Sequence, residues 1–264
     1  MNKILRINIS SEKATLILLL FLLFLIFPCQ LFVLVFFPSK PIWISDSLQL
    51  GMYGSFCILI WINRNSLIEY HIGKASIWVL ILSGTLARVG ALSITNILFW
   101  VLGLFLIITY VRGSFHFDIQ SLRLRWLIFS LFIGIGTPLT LNILQRLFVP
   151  ANSMIVKAWP GLLLGSVSFF VQIFYVVVYE EFFFRGFLWG YLEKRKWNPK
   201  WIILFQGALF WVAHLFNSSS KPFTFWVAIP IMGLILGYIA WRSRSVTNSM
   251  IIHAMYNTVV LYFL

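Results

Sequence analysis

The 264-residue sequence predicts an all-α fold, a polytopic transmembrane helical bundle. Hydrophobic residues make up 61% of the chain and charged ones only 10%, more apolar surface than a soluble domain of this length can bury. The mean hydropathy is +0.94, so lipid has to be the solvent for most of the chain. Apolar runs of about 17 to 25 residues, the length that crosses a bilayer, also recur from one end to the other.

In order, these runs fall at 14–37, 47–62, 75–90, 91–111, 126–149, 160–180, 201–216, 223–241 and 248–264. They give about eight or nine spans. The first follows Lys3, Arg6 and Lys13. It is too long for a signal peptide and lacks a small-residue cleavage pattern, so it reads as a retained anchor. The third and fourth meet at Arg88 and Gly90, where each half is marginal and a re-entrant hairpin is the alternative to two spans. The polar connections at 63–75 and 112–125 are too short to fold alone. The chain therefore reads as one membrane domain, 1–264, in which the spans of 1–150 have no assigned role.

Cytoplasmic loops carry the excess of Lys and Arg. With the N-terminus inside, that side collects Lys3, Arg6, Lys13, Arg64, Lys74, Arg112, Arg123, Arg125, Arg185, Lys194, Arg195, Lys196, Lys200, Arg242 and Arg244. The outer side keeps Lys40, Arg88, Arg146, Lys157 and Lys221. The net charge of +13 then reflects topology and attraction to the headgroups of membrane lipids. Basic residues dispersed between spans argue against nucleic acid as a partner. Cys29 and Cys57 lie inside apolar runs and suit neither a disulfide framework nor a metal site.

Only seven acidic residues exist in the chain, and Glu180 and Glu181 stand side by side in an apolar run. An ionisable group at membrane depth is costly, which makes it a functional candidate by default. On a helix, Glu181 and Arg185 are four residues apart and can pair, while Glu180 points about 100° away with no partner in its own helix. Desolvation then raises the pKa of the lone carboxyl, which suits it to general acid–base work. The plainer alternative is that both acids cap the end of a span and touch water.

Two further pairs repeat the four-residue spacing: Phe210 with His214, and His253 with Asn257. Taken singly, each polar residue can be an ordinary interhelical hydrogen bonder. Gathering Glu180, His214, His253 and Asn257 around one hydrated cavity offsets most of the cost of burying them separately. A carboxylate that takes a proton from water, a histidine that shares it and donors for an oxyanion are the parts of a hydrolytic site. Gly161 with Gly165, Gly186 with Gly190 and Gly233 with Gly237 mark places where membrane helices can approach closely. His71 and His116 fall in polar connections and read as solvent-exposed.

"EEFFFR", "FWVAH" and "HAMYN" resemble, in this order, the EExxxR, FxxxH and HxxxN motifs of the CPBP (Abi) family of CAAX prenyl endopeptidases and bacteriocin-processing intramembrane proteases. The "GLILG" stretch and a Ser-containing turn at Ser245–Ser249 also fit, and the resemblance covers roughly residues 160–260, a CPBP-like protease core. It implies a helical membrane protein with its active site recessed in a cavity within the bilayer; with the cytoplasmic N-terminus that the charge count gives, a bacterial cell membrane is the expected location. Carried onto this chain, the catalytic residues are Glu180, His214, His253 and Asn257, with Glu181, Arg185 and Phe210 in support. The substrate is a membrane-associated or lipidated peptide or protein.

Metal dependence stays open: Glu180, His214 and His253 with a water would form a plausible zinc shell, and the family is often described as metalloproteases. The base would then have to be Glu181, which the spacing already pairs with Arg185. Direct activation of water by Glu180 and His214, with His253 and Asn257 stabilising the oxyanion, requires no cofactor. A proton-coupled transporter and a non-catalytic membrane scaffold are the competing classes. The absence of an inverted repeat argues against the first and the intact motifs against the second. Both hydrolytic routes need Glu180 within about 10 Å of His214, since one water must link them. Positions 161–192 contain no proline, so one long tilted helix with Glu180 near mid-depth is expected.

Overall fold

A computed structural model describes residues 11–37, 42–86, 94–113, 123–148, 161–215, 217 and 221–263. Every regular element among them is helical. Helix α1 (Ser11–Phe21) runs through a π segment, Leu22–Ile26, into α2 (Phe27–Phe36). There follow α3 (Ile42–Asn63), a 3₁₀ turn (Leu67–Tyr70), α4 (Lys74–Leu86), α5 (Ile94–Val111) and α6 (Leu124–Phe148). Next come α7 (Gly161–Gln172), α8 (Val178–Glu181), α9 (Trp189–Lys194) and α10 (Pro199–Val212). The π segment Thr224–Ala228 leads into α11 (Ile229–Ser243), and α12 (Val246–Phe263) ends the described chain.

Three described stretches are long and apolar enough to cross a membrane: Ser11–Val33, Leu124–Leu147 and Thr224–Ser243. Helices also occupy the other predicted runs, but some are short. The 14 residues of α10 reach roughly 21 Å at 1.5 Å per residue, against a hydrocarbon core of about 30 Å. The hairpin question at Arg88 and Gly90 lies outside the described residues, as does His116. Phe24, Phe132 and Leu163 each expose more than 70% of their surface, as side chains solvated by lipid do.

The expected long helix is present. From Gly161 to Lys194 the backbone stays helical, because the wide turns Ile173–Val177 and Phe182–Leu188 join α7, α8 and α9 without a break. Glu180 sits near the middle of this element. Phe182, Phe183, Phe184, Phe187 and Trp189 are all buried around it, so the second half is the centre of the core rather than a lipid-facing span. Arg185 was assigned to the cytoplasmic loops by the charge count, and that assignment is corrected: it lies in this buried half, fully inaccessible, because Glu181 neutralises it one turn away.

The glycine pairs divide. Gly233 of α11 lies against Gly207 of α10, where an added Cβ would come 3.2 Å from the Gly207 backbone, and Gly237 faces Gln206. This is the expected close approach of two membrane helices. Gly186 and Gly190 instead receive the turn Glu69–Ile72. At Gly190 a Cβ would stand 2.7 Å from the Glu69 carbonyl oxygen and 2.8 Å from the Tyr70 Cα. Backbone cannot yield as a side chain does, so Gly190→Ala is expected to destabilise the fold by about 1–3 kcal/mol. Gly73→Ala, which meets nothing within 4 Å, serves as the control in a detergent melting assay.

The Ser245–Ser249 turn is also corrected. The chain reverses at Arg244, whose φ of 53° is left-handed, and α12 has begun by Val246. The Ser245 hydroxyl accepts the Thr247 N–H at 3.2 Å and so caps the new helix, leaving Ser249 buried inside it.

Candidate active site

Glu180 and Glu181 leave the long helix in different directions and meet different surroundings. Glu181 is fully buried, and its Oε1 accepts from Arg185 Nη1 at 3.2 Å and from His253 Nδ1 at 2.9 Å. Arg185 in turn donates through Nη2 to the Gly233 carbonyl at 3.3 Å and lies over the Phe210 ring, 4.4 Å from its centroid. One buried ion pair thus ties the long helix to α10, α11 and α12. The i, i+4 pairing anticipated Arg185; the bond to His253, 72 positions away, has no signature in local spacing.

Glu180 keeps 23% of its side chain accessible. Its Oε1 is 3.9 Å from His214 Nε2, and its Oε2 is 3.9 Å from His253 Nε2. Both gaps exceed a direct hydrogen bond and lie within the reach of one bridging water. Oε2 is buried with no hydrogen-bond partner among the described residues, a costly state for a carboxylate that receives nothing.

The histidine tautomers follow from their partners. His214 follows the end of α10, and its Nδ1 lies 2.7 Å from the Phe210 carbonyl. A carbonyl only accepts, so Nδ1 carries the proton and, in the neutral ring, Nε2 offers a lone pair towards Glu180. His253 donates through Nδ1 to Glu181, so its Nε2 carries a proton only in the imidazolium form. Phe210 is 2% exposed and contacts both imidazoles, with centroid distances of 4.5 Å to His214 and 5.7 Å to His253. It is the apolar spacer that holds the two rings.

Asn257 has a partner the motif spacing did not indicate: its Nδ2 donates to Gln172 Oε1 at 3.1 Å. Gln172 ends α7, two turns before Glu180, and sequence reading passed over it. An uncharged polar residue eight positions from Glu180 in an apolar run was its only trace. Asn257 has a second amide hydrogen that this bond leaves available.

The donor set does not fit a metal ion as arranged. Among the described residues no group of three His, Cys, Asp or Glu side chains has the geometry to hold one. Glu180 meets the two imidazoles through different oxygens, each at 3.9 Å, whereas ligands about 2.0–2.2 Å from a tetrahedral zinc stand closer together.

Away from this site, His71 is not the solvent-exposed residue expected. It is 6% exposed, and its Nε2 lies 2.8 Å from Glu193 Oε2. Its hydrogen bond, with Arg244 on the other oxygen, holds the Glu193 carboxyl down at about 2. A depressed carboxyl favours the folded state above its unfolded value near 4.5, and that contribution fades as pH falls towards 2. Wild type is therefore expected to melt above Glu193→Gln at pH 6, with the difference closing between pH 4.5 and 2.

No curated protein and no solved structure matches the chain. Residues 161–259 match the family model described as type II CAAX prenyl endopeptidase Rce1-like. The match starts with the long helix, ends two residues beyond Asn257 and includes every motif position above. With its long apolar helices, the chain is an integral membrane protein. An Rce1-like type II CAAX prenyl endopeptidase domain is thus found at residues 161–259, a little over a third of the chain.

Proposed function

We propose that the protein is an intramembrane endopeptidase that hydrolyses a peptide bond of a membrane-associated or lipidated substrate. The observation that carries this reading is the contrast between the adjacent acids. Glu181 is fully buried and bonded through Oε1 to Arg185 and His253, while Glu180 stands partly accessible, 3.9 Å from each of two imidazoles.

In this reading a water held between Glu180 and His214 attacks the scissile carbonyl carbon, and its proton passes to that pair. The carbonyl oxygen becomes an oxyanion stabilised by the His253 imidazolium, with the second Asn257 amide hydrogen as a further donor. Collapse of the tetrahedral intermediate breaks the C–N bond, and the stored proton goes to the leaving amine. Glu181 holds His253 in the tautomer and charge that this step needs, while Phe210 and Arg185 hold the frame.

The same reading takes residues 160–260 as the protease core within one membrane domain of eight or nine spans. It sets the chain in a bacterial cell membrane with the N-terminus cytoplasmic, in contact with lipid and not with nucleic acid. The distribution of Lys and Arg supports the orientation.

The test compares the termini of membrane proteins in cells carrying wild type and Glu180→Gln. Proteins that lose a terminal segment only with wild type support the proposal and name the substrate; identical termini in both would sink it. Exhaustive chelation tests the metal-free route separately. Stoichiometric metal that must be restored for activity would transfer the chemistry to a zinc-dependent version.

A further inference from the structure

We propose that His71, ninety positions ahead of the matched domain, is a positioning residue of the site, setting the register of the Glu180 helix against the helix that carries His253. The inference rests on the endopeptidase reading above. Its observation is that one residue holds both helices. The imidazole bonds Glu193 in the last turn of α9, and the main-chain carbonyl accepts the N–H of Val246, the first residue of α12, at 3.2 Å. Val246 N–H is one of the four amides that a helix start leaves without an internal partner.

His71 is built for this double role. Its φ of 57° is left-handed, a conformation in which His is tolerated better than most side chains. That turn sends carbonyl and imidazole to different neighbours. The preceding 3₁₀ turn fixes it from behind, with His71 N–H donating to the Ile68 carbonyl at 3.0 Å and Ile72 N–H to Leu67 at 3.2 Å. The imidazole also stands edge-on to Trp189, at 88° between ring planes.

Neighbouring contacts repeat the pattern of one segment joining two helices. Lys194 pairs with Glu69, and the Ser76 and Thr247 hydroxyls meet in the core at 2.6 Å. The Gly190 cradle admits Tyr70. Arg244, in the turn before α12, holds the second oxygen of Glu193. The segment 69–76 is thus wedged between the end of one site helix and the beginning of the other.

The lever is short. Val246 lies two turns, roughly 10 Å, before His253, and Glu193 lies about 20 Å beyond Glu180 along the long helix. One residue of slippage in α12 turns His253 by about 100°. The gaps of 3.9 Å around Glu180 then no longer close through a single water. A shift of even 1 Å at a reacting group can cost about 100-fold in rate.

The experiment uses the full chain in nanodiscs, with wild type, His71→Ala, His71→Gln and Glu193→Ala. Gln places an amide donor near the position of the His71 Nε2 and so keeps the bond to Glu193. Hydrogen–deuterium exchange over 244–253 and cleavage of a fluorogenic prenylated CAAX peptide are measured on each. His71→Ala is expected to speed exchange in the first turn of α12 about tenfold. It is expected to lower kcat by about 10- to 100-fold with KM held within about twofold. His71→Gln should restore both readouts to within about threefold. Glu193→Ala removes the same side-chain link together with that to Arg244, and carries the kinetic test if His71→Ala does not fold. Unchanged exchange in α12, unchanged kcat, or a loss that Gln fails to rescue would each overturn the proposal. If wild type itself leaves the peptide intact while His71→Ala still loosens α12 and Gln restores it, the peptide is not the substrate, the endopeptidase reading is decided by the comparison of termini, and the register role stands.

Discussion

Glu180→Gln is expected to lower turnover by about 10²- to 10⁴-fold, the range a positioned general base contributes, while the protein still inserts and melts like wild type. The amide preserves the shape of the side chain and removes its ability to take a proton. The effect separates cleanly because the Glu180 oxygens stand 3.9 Å from His214 and from His253, beyond a direct hydrogen bond to either. Losing its charge removes a repulsion with neighbouring Glu181 and an attraction to Arg185, which offset each other, so stability should hold. Turnover on a reconstituted substrate, read beside a melting curve of the same preparation, checks both halves. A Glu180→Gln protein that cleaves at the wild-type rate would remove Glu180 from the chemistry. One that aggregates would show instead that the carboxylate belongs to the frame.

The adjacent acid shows how far sequence could reach. The i, i+4 rule told the partners of Glu180 and Glu181 apart, because both glutamates and Arg185 share one helix and helix geometry is local. The long helix was legible for the same reason, from the lack of proline over 161–192. Its two π segments were not, since nothing in "IFYVV" or "FFFRGFL" names a wide turn. Residues joined across helices escaped as well. Gln172 looked like an ordinary polar interruption until Asn257 came beside it, and His71 looked exposed because a short polar connection normally faces water. The Gly186–Gly190 pair signalled a close approach correctly but not its partner, since a flat helix face admits a turn as readily as a second helix. Lengths were the other limit. An apolar run indicates lipid or core without saying which, and the aromatic-rich half after Glu181 turned out to be core.

Arg185 should be the most sensitive position for stability. Its guanidinium is fully buried, paired with Glu181, bonded to the Gly233 carbonyl and laid over Phe210. Arg185→Ala removes the guanidinium that neutralises the Glu181 carboxylate and leaves that carboxylate fully buried. Breaking a buried pair from one side costs about 3–5 kcal/mol, enough to appear as a large fall in melting temperature or as loss of the folded protein from the membrane. Arg185→Lys should recover little, because an ammonium can neither fork between Glu181 and Gly233 nor stack flat on Phe210. The informative variant removes both charges. With Arg185→Met and Glu181→Leu together neither member of the pair is left buried without the other, and replacing a buried pair by apolar side chains of similar volume is often close to neutral. The double variant is therefore expected to melt well above Arg185→Ala. It should nevertheless stay inactive, since His253 has lost the carboxylate that holds its Nδ1 proton and stabilises its charge. Recovery of stability with activity still absent would separate the two tasks of Glu181. If activity returned along with stability, Glu181 would have no part in orienting His253, and the oxyanion role given to the imidazolium would fall with it.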